Sequence, residues 1–328
     1  MAEIDGGDVL FHAPGQPSLR LSASQPLRID EQCAIAEFEL CEGEHAQFVL
    51  GAMDDPLVAA GACEHCLQET LKYWRRWIKQ SNYRGRWREM VHRSALALKL
   101  LTSRKHGGII AAATYGLPEA AGGERNWDYR YTWIRDASFT VYAFMRLGFS
   151  EEANAFMRWV RDRVDDCSET PAHLRILYSL RGQHHLPESS LDHLAGHGGA
   201  KPVRIGNEAH EQTQLDIFGE LLDAVYLANK YGEAISHDGW KHVVGIVDQV
   251  CDSWRQKDVG IWEIRGEEQH FLHSRLMCWV ALDRAIRLAQ KRSLPAPFAR
   301  WNDERQAIHD DIWTVSYTHL TLPTTPYV

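Results

Sequence analysis

Glu263 is the residue whose neighbours best equip it to move a proton; it lies in DVGIWEIRGEEQHFLHSRLMCW, from Asp258 to Trp279. It follows Ile261 and Trp262 in a short segment between two helical patterns. A carboxyl group covered by an indole has its charged form disfavoured, which keeps it protonated near neutral pH, the state a general acid needs to protonate a leaving oxygen. The bland reading of the same pair is a surface Glu beside a core Trp, and the pair alone leaves both open. A second stretch, Leu117 to Leu147, reads LPEAAGGERNWDYRYTWIRDASFTVYAFMRL. Glycine, asparagine, tryptophan, tyrosine, arginine and aspartate crowd its first part, and an apolar helical run comes at once after it. That density of polar groups and rings predicts a wall for a polar, ring-shaped ligand.

Other chemistry-bearing residues carry less. Cys63 and Cys66 form CEHC, but no second pair completes a four-ligand zinc site. His184, His185, His193 and His197 share one loop, and His193 and His197 have the spacing of ligands on a helix. Gly196, Gly198 and Gly199 oppose a helix there, so loop packing or ligand contact is the better reading and no metal site is predicted. His270 and His273 flank Phe271 and read as helix-end packing more readily than as support for Glu263. Asp216, Glu220 and Asp223 recur at spacings of four and three, the usual mark of a solvated helix face, with the inner rim of a barrel as the other reading. The sequence holds twelve tryptophans, and an indole offers a flat apolar face with one N–H donor, suited to stacking on the C–H faces of sugars. Trp240 and Trp254, on an amphipathic period, are read as core.

Periodicity gives the elements that must position these groups. From Val9 to about Met53 the pattern is strand-like, in LRLSA, AIAEFEL and AQFVLGA, too few strands to close an independent sheet comfortably. A segment between about Cys63 and Tyr83, helical with a basic face, links these strands to the remainder of the chain. Beyond Arg86 the helical period dominates. A first helix carries Val91, Ala95, Leu98 and Leu101 on one face; a second, Ala137 to Leu147, is apolar nearly all round and is expected to be buried, with Gly148 ending it and Ser150 capping the next. A third carries Ala153, Phe156, Met157, Val160 and Val164. Leu215, Phe218, Leu222 and Val225 mark a fourth, closed near Gly232. Trp240 to Trp254 mark a fifth, Phe271 to Lys291 a sixth, and Phe298, Trp301, Ile308 and Ile312 a seventh. Short joints alternate with long ones, above all from Gly182 to His210, and long loops gathered on one side of a helical array are where binding sites are built. The simplest architecture is an α/α toroid, present in part.

A net charge of -8 and a pI near 6.1 argue against nucleic acid or an anionic membrane as the main partner. No apolar run approaches the ~20 residues of a membrane helix, and MAEIDGGDVL lacks the regions of a secretory signal, so the chain reads as cytoplasmic. The seven cysteines fit reduced thiols better than a disulfide framework. The string 315–328, VSYTHLTLPTTPYV, departs from the helical pattern after Ile312. Val315 to Thr324 resemble one translated frame of a transposase-type sequencing adapter, and the expectation is a non-native tail on a chain that naturally continues.

GGERNWDYRYTWIRDAS, LPESSLDHLAGHGGAKPVRIGN, QLDIFGELLDA and GIWEIRG, in this order, resemble the bacterial branch of glycoside hydrolase family 15, which contains glucoamylases, glucodextranases and trehalases. The likeness spans about Trp74 to Thr314. It implies a mainly α fold, an incomplete (α/α)6 toroid over residues 86–314, preceded by the tail end of a β-sandwich domain over 1–62 and a helical linker over 63–85. It implies inverting, exo-acting hydrolysis of an α-glucosidic bond by two glutamates, with α-linked gluco-oligosaccharide or trehalose as substrate, water as acceptor and no cofactor.

Position by position, the family's acid falls on Glu263. Arg135 and Asp136 match the pair that grips hydroxyls of the terminal glucose, and Trp133 matches an aromatic of the same wall. Asp128, Arg204 and Asn207 are further candidates for that pocket, with an inter-loop hydrogen-bond network as the other reading, and Trp262 is a candidate contact beside the acid. A carboxylate that accepts sugar O–H bonds beside a guanidinium is a charge-assisted clamp that rejects ligands lacking those hydroxyls. The family's base lies far toward the C-terminus, after helices not found here. An inverting site sets the base roughly 6.5–9.5 Å from the acid, across the sugar ring, and Glu267 and Glu268 are too near Glu263 in sequence to serve. The 328-residue chain is therefore expected to be inactive or nearly so. Two alternatives stay open, an inverting disaccharide phosphorylase on a related toroid and a non-catalytic glycan-binding protein.

Overall fold

A computed structural model describes residues 1–56, 60–115, 117–166, 174–231 and 234–319, which fall into two compact units, Met1–Gln80 and Ser81–Val328. In the first unit β1 (Ala2–Asp5), β2 (Asp8–Phe11), β3 (Leu19–Ala23) and β6 (Phe48–Ala52) form an antiparallel sheet in the order β1-β2-β3-β6, and β4 (Arg28–Asp30) pairs with β5 (Cys33–Ile35) as a separate hairpin. The β1–β2 register pairs Asp5 with Asp8 across Gly6 and Gly7, whose φ values of 61° and 97° supply the doubly left-handed turn that tight hairpins require. Val9 and Leu10 are buried, while Leu19, Phe48 and Leu50 stay exposed. Helix α1 (Cys63–Ile78) groups with these strands and carries the free thiols of Cys63 and Cys66 in its first turn. The strand expected over AIAEFEL stops at Ile35: residues 36–40 have no strand partner, and Phe38 and Leu40 are exposed.

The second unit is mainly α. Its elements are α2 (Arg88–Leu100), β7 (Thr132–Trp133), α3 (Ile134–Leu147), α4 (Ser150–Asp166), β8 (Leu177–Tyr178), β9 (Ser189–Ser190), β10 (Arg204–Ile205), α5 (Asp216–Tyr231), α6 (His237–Ser253), α7 (Leu272–Arg292) and α8 (Phe298–His319). Helix α5 is central and packs on α3, α4, α6 and α7. It approaches α7 so closely that a Cβ on Gly219 would lie 2.1 Å from the Met277 carbonyl oxygen. Buried indoles lock the C-terminal helices by their polar ends: Trp240 Nε1 donates to Pro295 O at 2.8 Å, Trp254 Nε1 to Glu304 Oε2 at 2.7 Å and Trp301 Nε1 to Asp248 Oδ1 at 3.2 Å. Burial pushes the Cys251 and Cys278 thiols up to about 12, so both act as small apolar core residues.

Three expectations need correction. Helix α3 is not buried all round: Ile134, Ala137, Val141 and Phe144 face the core, while Phe139 and Tyr142 are exposed. Its end is as expected, at Gly148 with φ 93°. Ser150 is the first residue of α4, not a cap in front of it. The acidic series on α5 is not a solvated face: Asp216 and Glu220 are buried, and Asp223 pairs with Arg284. Helix α8 runs to His319, into the adapter-like string; residues 320–328 lie outside the described residues, as does the helix end expected at Gly232. Among the described residues, no helix is long and apolar enough to cross a membrane.

Candidate active site

A cleft of about 890 Å³ opens in the second unit, and Trp133, Arg135, Asp136, Asn207, Trp262 and Glu263 all line it. One wall comes from the junction of β7 and α3. Residues 111–114 run beside 129–131, with Ala111 N donating to Tyr131 O and Tyr129 N to Thr114 O, and β7 pairs Trp133 with Leu177. Trp133 is still extended, at φ -77° and ψ 131°, while Ile134 begins the helix. Arg135 and Asp136 therefore occupy the first helical turn, lining the same cleft as Trp133 just before it.

The opposite wall is the loop between α6 and α7. Asp258 and Gln269 close its base by exchanging backbone hydrogen bonds at 2.9 and 2.8 Å. The buried Asp258 carboxylate clips that base to the helix starts, accepting from Leu215 N at 2.9 Å and Ser274 Oγ at 2.7 Å. Gly260, at φ 65°, lies under the Phe271 ring, where an added Cβ would meet ring carbons at 2.8 Å. Glu263 closes the turn, its N–H donating to Gly260 O, and it is left-handed at φ 53°, a conformation that costs about 1–3 kcal/mol in a residue with a Cβ.

That backbone delivers the Glu263 carboxylate to the first wall. Trp133 Nε1 donates to Oε1 at 2.8 Å, and Arg135 Nη2 donates to the same oxygen at 3.3 Å. Oε2 takes no hydrogen bond from the described residues. The indole that meets this carboxylate is thus Trp133, 130 residues away in sequence and as a hydrogen-bond donor rather than an apolar cover, and not the neighbouring Trp262, which lines the cleft and is 85% exposed. With so little of Trp262 buried, its ring does not shield the carboxyl as expected.

Arg135 is the hub beneath. Its Nη1 donates to Gln214 Oε1 at 2.9 Å and lies 3.8 Å from Asp216 Oδ2, and its Nη2 is 3.3 Å from Asp136 Oδ2. Burial draws its pKa down, and the charges of Asp136, Glu263 and Asp216 more than reverse this, leaving it above the ordinary value. Burial raises the pKa of Asp216 against the pull of Arg135, and burial together with the charge of Asp216 pushes Glu220, one turn along α5, up to about 7. Both Asp216 carboxylate oxygens, Gln214 Nε2 and His273 Nδ1 are buried without a hydrogen-bond partner among the described residues.

Two expected site residues do not line the cleft. Asp128 is fully buried and accepts from Arg130 Nε at 2.9 Å, Arg130 Nη2 at 2.8 Å and Gly206 N at 3.3 Å, so its carboxylate is consumed in joining two loops. Arg204 pairs with Glu188 at 3.0 Å and lies 4.6 Å over the Trp127 ring. Asn207 reaches the cleft, yet its Oδ1 caps the turn at Ala209 N, and its Nδ2 donates to Asp128 O at 3.4 Å. Tyr129, Trp127, Glu119 and Arg265 also line the cleft and were not singled out from sequence. Tyr129 has its pKa raised by burial and by the charges of Glu119, Glu263 and Asp136. It shares the Leu117–Leu147 stretch with Trp133, and its spacing of four before Trp133 was the available signal. His193 and His197 lie in the loop before β10, His197 in a single 3-10 turn interrupted at Gly198.

The sequence model of Glycosyl hydrolases family 15 matches residues 85–325, and the chain belongs to that family. The trehalase of Mycobacterium tuberculosis is 38% identical over 299 residues, 90% of this chain and 43% of that protein. The trehalase of Thermoplasma acidophilum is 39% identical over 247 residues, 75% of this chain and 41% of that protein. The chain thus spans less than half the length of these curated relatives. A solved wild-type glycosidase is similar at a TM-score of 0.48 and 20% identity, over 70% of this chain and 56% of that one.

Proposed function

We propose that the protein to which this chain belongs hydrolyses an α-glucosidic bond with inversion, with trehalose the first substrate to test because the similar relatives are trehalases. The observation that carries this reading is the Glu263 carboxylate, anchored at Oε1 by Trp133 and Arg135 inside the cleft with Oε2 left to the ligand. Glu263 is the general acid: it protonates the glycosidic oxygen through Oε2 while the two donors on Oε1 stabilise the carboxylate left behind. Asp136, beside Arg135, accepts hydroxyls of the terminal glucose, with Trp133 and Tyr129 as aromatic wall and Asn207 and Trp262 at the edges. Asp128 and Arg204 act behind this surface. Helices α2 to α8 are taken as part of an (α/α)6 ring, and the strands of the first unit as the end of a β-sandwich.

Water attacks the opposite face of the sugar, and the carboxylate that activates it is taken to come from a part of the longer relatives that this chain does not cover. The other carboxylates lining the cleft are already engaged, Asp136 by Arg135 and Glu119 by Arg125 at 3.4 Å. The 328-residue chain by itself is therefore expected to release little or no glucose.

The test supplies trehalose, maltose and isomaltose to this chain and to any longer gene product containing it, with proton NMR reading the anomer of the first glucose released. From the longer product the attacked ring is expected to appear as β-glucose, accompanied in the case of trehalose by an equal amount of α-glucose, the leaving group. In that protein Glu263→Gln is expected to lower kcat by about three orders of magnitude. Release of α-glucose with no β-glucose excludes inversion, unchanged hydrolysis by the Gln variant removes Glu263 as the acid, and brisk turnover by the 328-residue chain refutes the external base.

A further inference from the structure

Beyond Glu263, the loop between α6 and α7 has one other side chain, among the described residues, that ties its tip to another element. Arg265 Nη2 meets Glu188 Oε2 at 2.8 Å, and its Nη1 meets Glu208 Oε2 at 3.1 Å. The other oxygen of Glu188 holds Arg204 Nε at 3.0 Å. Both guanidinium groups lie over the indole of Trp127, Arg204 at 4.6 Å and Arg265 at 4.2 Å from the ring centroid. Arg204 also donates to Glu124 O at 2.8 Å. Two arginines and two glutamates make a neutral cluster in which one carboxylate bridges two cations over an aromatic face, an arrangement that fixes direction as well as distance.

The position of Glu188 is itself fixed. It precedes β9, whose Ser190 pairs with Arg204 in β10, and the two chains approach so closely that a Cβ on Gly206 would lie 2.0 Å from Pro187 O. The Glu188 side chain is 18% exposed, whereas that of Arg265 is 43% exposed. The anchor is therefore a rigid hairpin, and the anchored part is a loop closed at its base by Asp258 and Gln269, with Gly266, Glu267 and Glu268 exposed beyond it.

We propose that Glu188 is a positioning residue for Glu263: by holding Arg265 against Trp127 it fixes the tip of the loop, so that the Glu263 carboxylate stays on the Trp133 indole N–H. The assignment of Glu263 as the acid rests on the proposed function, but the clasp is testable without turnover. Glu188→Gln keeps the shape and removes the charge shared by the two arginines. Arg265→Gln cuts the tether from the loop side, and Arg265→Lys keeps a cation for Glu188 while giving up the planar fork that also reaches Glu208.

The probe is the Trp133 indole N–H in a 15N-labelled 328-residue chain, assigned by its loss in Trp133→Phe. The indoles of Trp240 and Trp254, bonded to Pro295 and Glu304 in the core, serve as fold markers. Expected in both Gln variants is a shifted Trp133 indole resonance with solvent exchange faster by about tenfold or more, with the two core resonances unmoved and partial recovery in Arg265→Lys. If Glu188→Gln also disturbs the core markers, Arg265→Gln at the more exposed end decides. An unchanged Trp133 resonance and exchange rate in Arg265→Gln overturns the proposal. Failure of the functional reading looks different: glucose added to the wild-type chain then shifts no cleft indole, while the exchange measurement still reports on the clasp.

Discussion

At the scale of single residues the site depends on side chains that serve two partners at once. Arg135 is the clearest case, with Nη1 on Gln214 and Nη2 shared between Glu263 and Asp136. A lysine delivers one point charge and cannot hold an amide and two carboxylates together, so Arg135→Lys is expected to weaken glucose binding by about 10- to 100-fold with the fold retained, as a calorimetric titration with glucose would measure. No such loss would mean that the fork is not what orders the cleft. The motif around Trp133, Arg135 and Asp136 was readable because it is local, four residues at a strand-to-helix junction. Gln214 and the Glu188 bridge were not, because each matters only through a partner dozens of residues away. The neighbouring indole was read as the cover of Glu263 for the same reason: adjacency in sequence favoured Trp262, whereas the fold brings the carboxylate to the indole N–H of Trp133, a donor and not a cover.

At the scale of elements, what positions the cleft is the close contact of α5 with α7, which sets Asp216 and His273 behind Arg135. Gly219 is the point of closest approach. Gly219→Ala puts a methyl group 2.1 Å from the Met277 carbonyl and forces the helices apart. The expected cost is about 1–3 kcal/mol, or roughly 2–4 °C of melting temperature per kcal/mol, read by calorimetry. An unchanged melting temperature would show that the crossing is slack. The helices themselves were legible from their 3.6-residue period, since most of them bury one stripe. Helix α3 was read as wholly buried because hydrophobicity does not say how many neighbours a helix has, and Phe139 and Tyr142 are left exposed. On α5 the spacing of Asp216, Glu220 and Asp223 looked solvated because spacing is blind to sign-matched partners such as Arg135 and Arg284 on other helices.

For the molecule as a whole, burying acids behind the cleft has a pH signature. Glu220 has a native pKa of about 7 against an ordinary 4.5, raised by burial first and then by Asp216. Between those values the native state holds a proton that the unfolded chain has released, so stability falls as pH rises through the interval and levels off above about 7. The full effect is on the order of 3 kcal/mol, and Asp216 is shifted in the same direction. Glu220→Gln is expected to leave denaturant midpoints unchanged near pH 4.5 and to raise them near pH 8. Equal midpoints at both ends would mean that the carboxyl finds compensation in the folded state. The spacing of Asp216 and Glu220 offered an inward-facing reading but not the shift, which arises from two carboxylates one helical turn apart being packed inward together.

The left-handed backbone at Glu263 carries a consequence for selection. A residue with a Cβ is strained there, and glycine would relax it, so Glu263→Gly is expected to stabilise the fold slightly, by about 1 kcal/mol once the lost contacts of the carboxylate to Trp133 and Arg135 are set against the relief. A library screened only for resistance to heat would then enrich substitutions at position 263 that sacrifice the acid, whereas one screened for turnover would keep glutamate at its thermodynamic expense. Sequencing the survivors of the two screens would show which demand holds this turn in place.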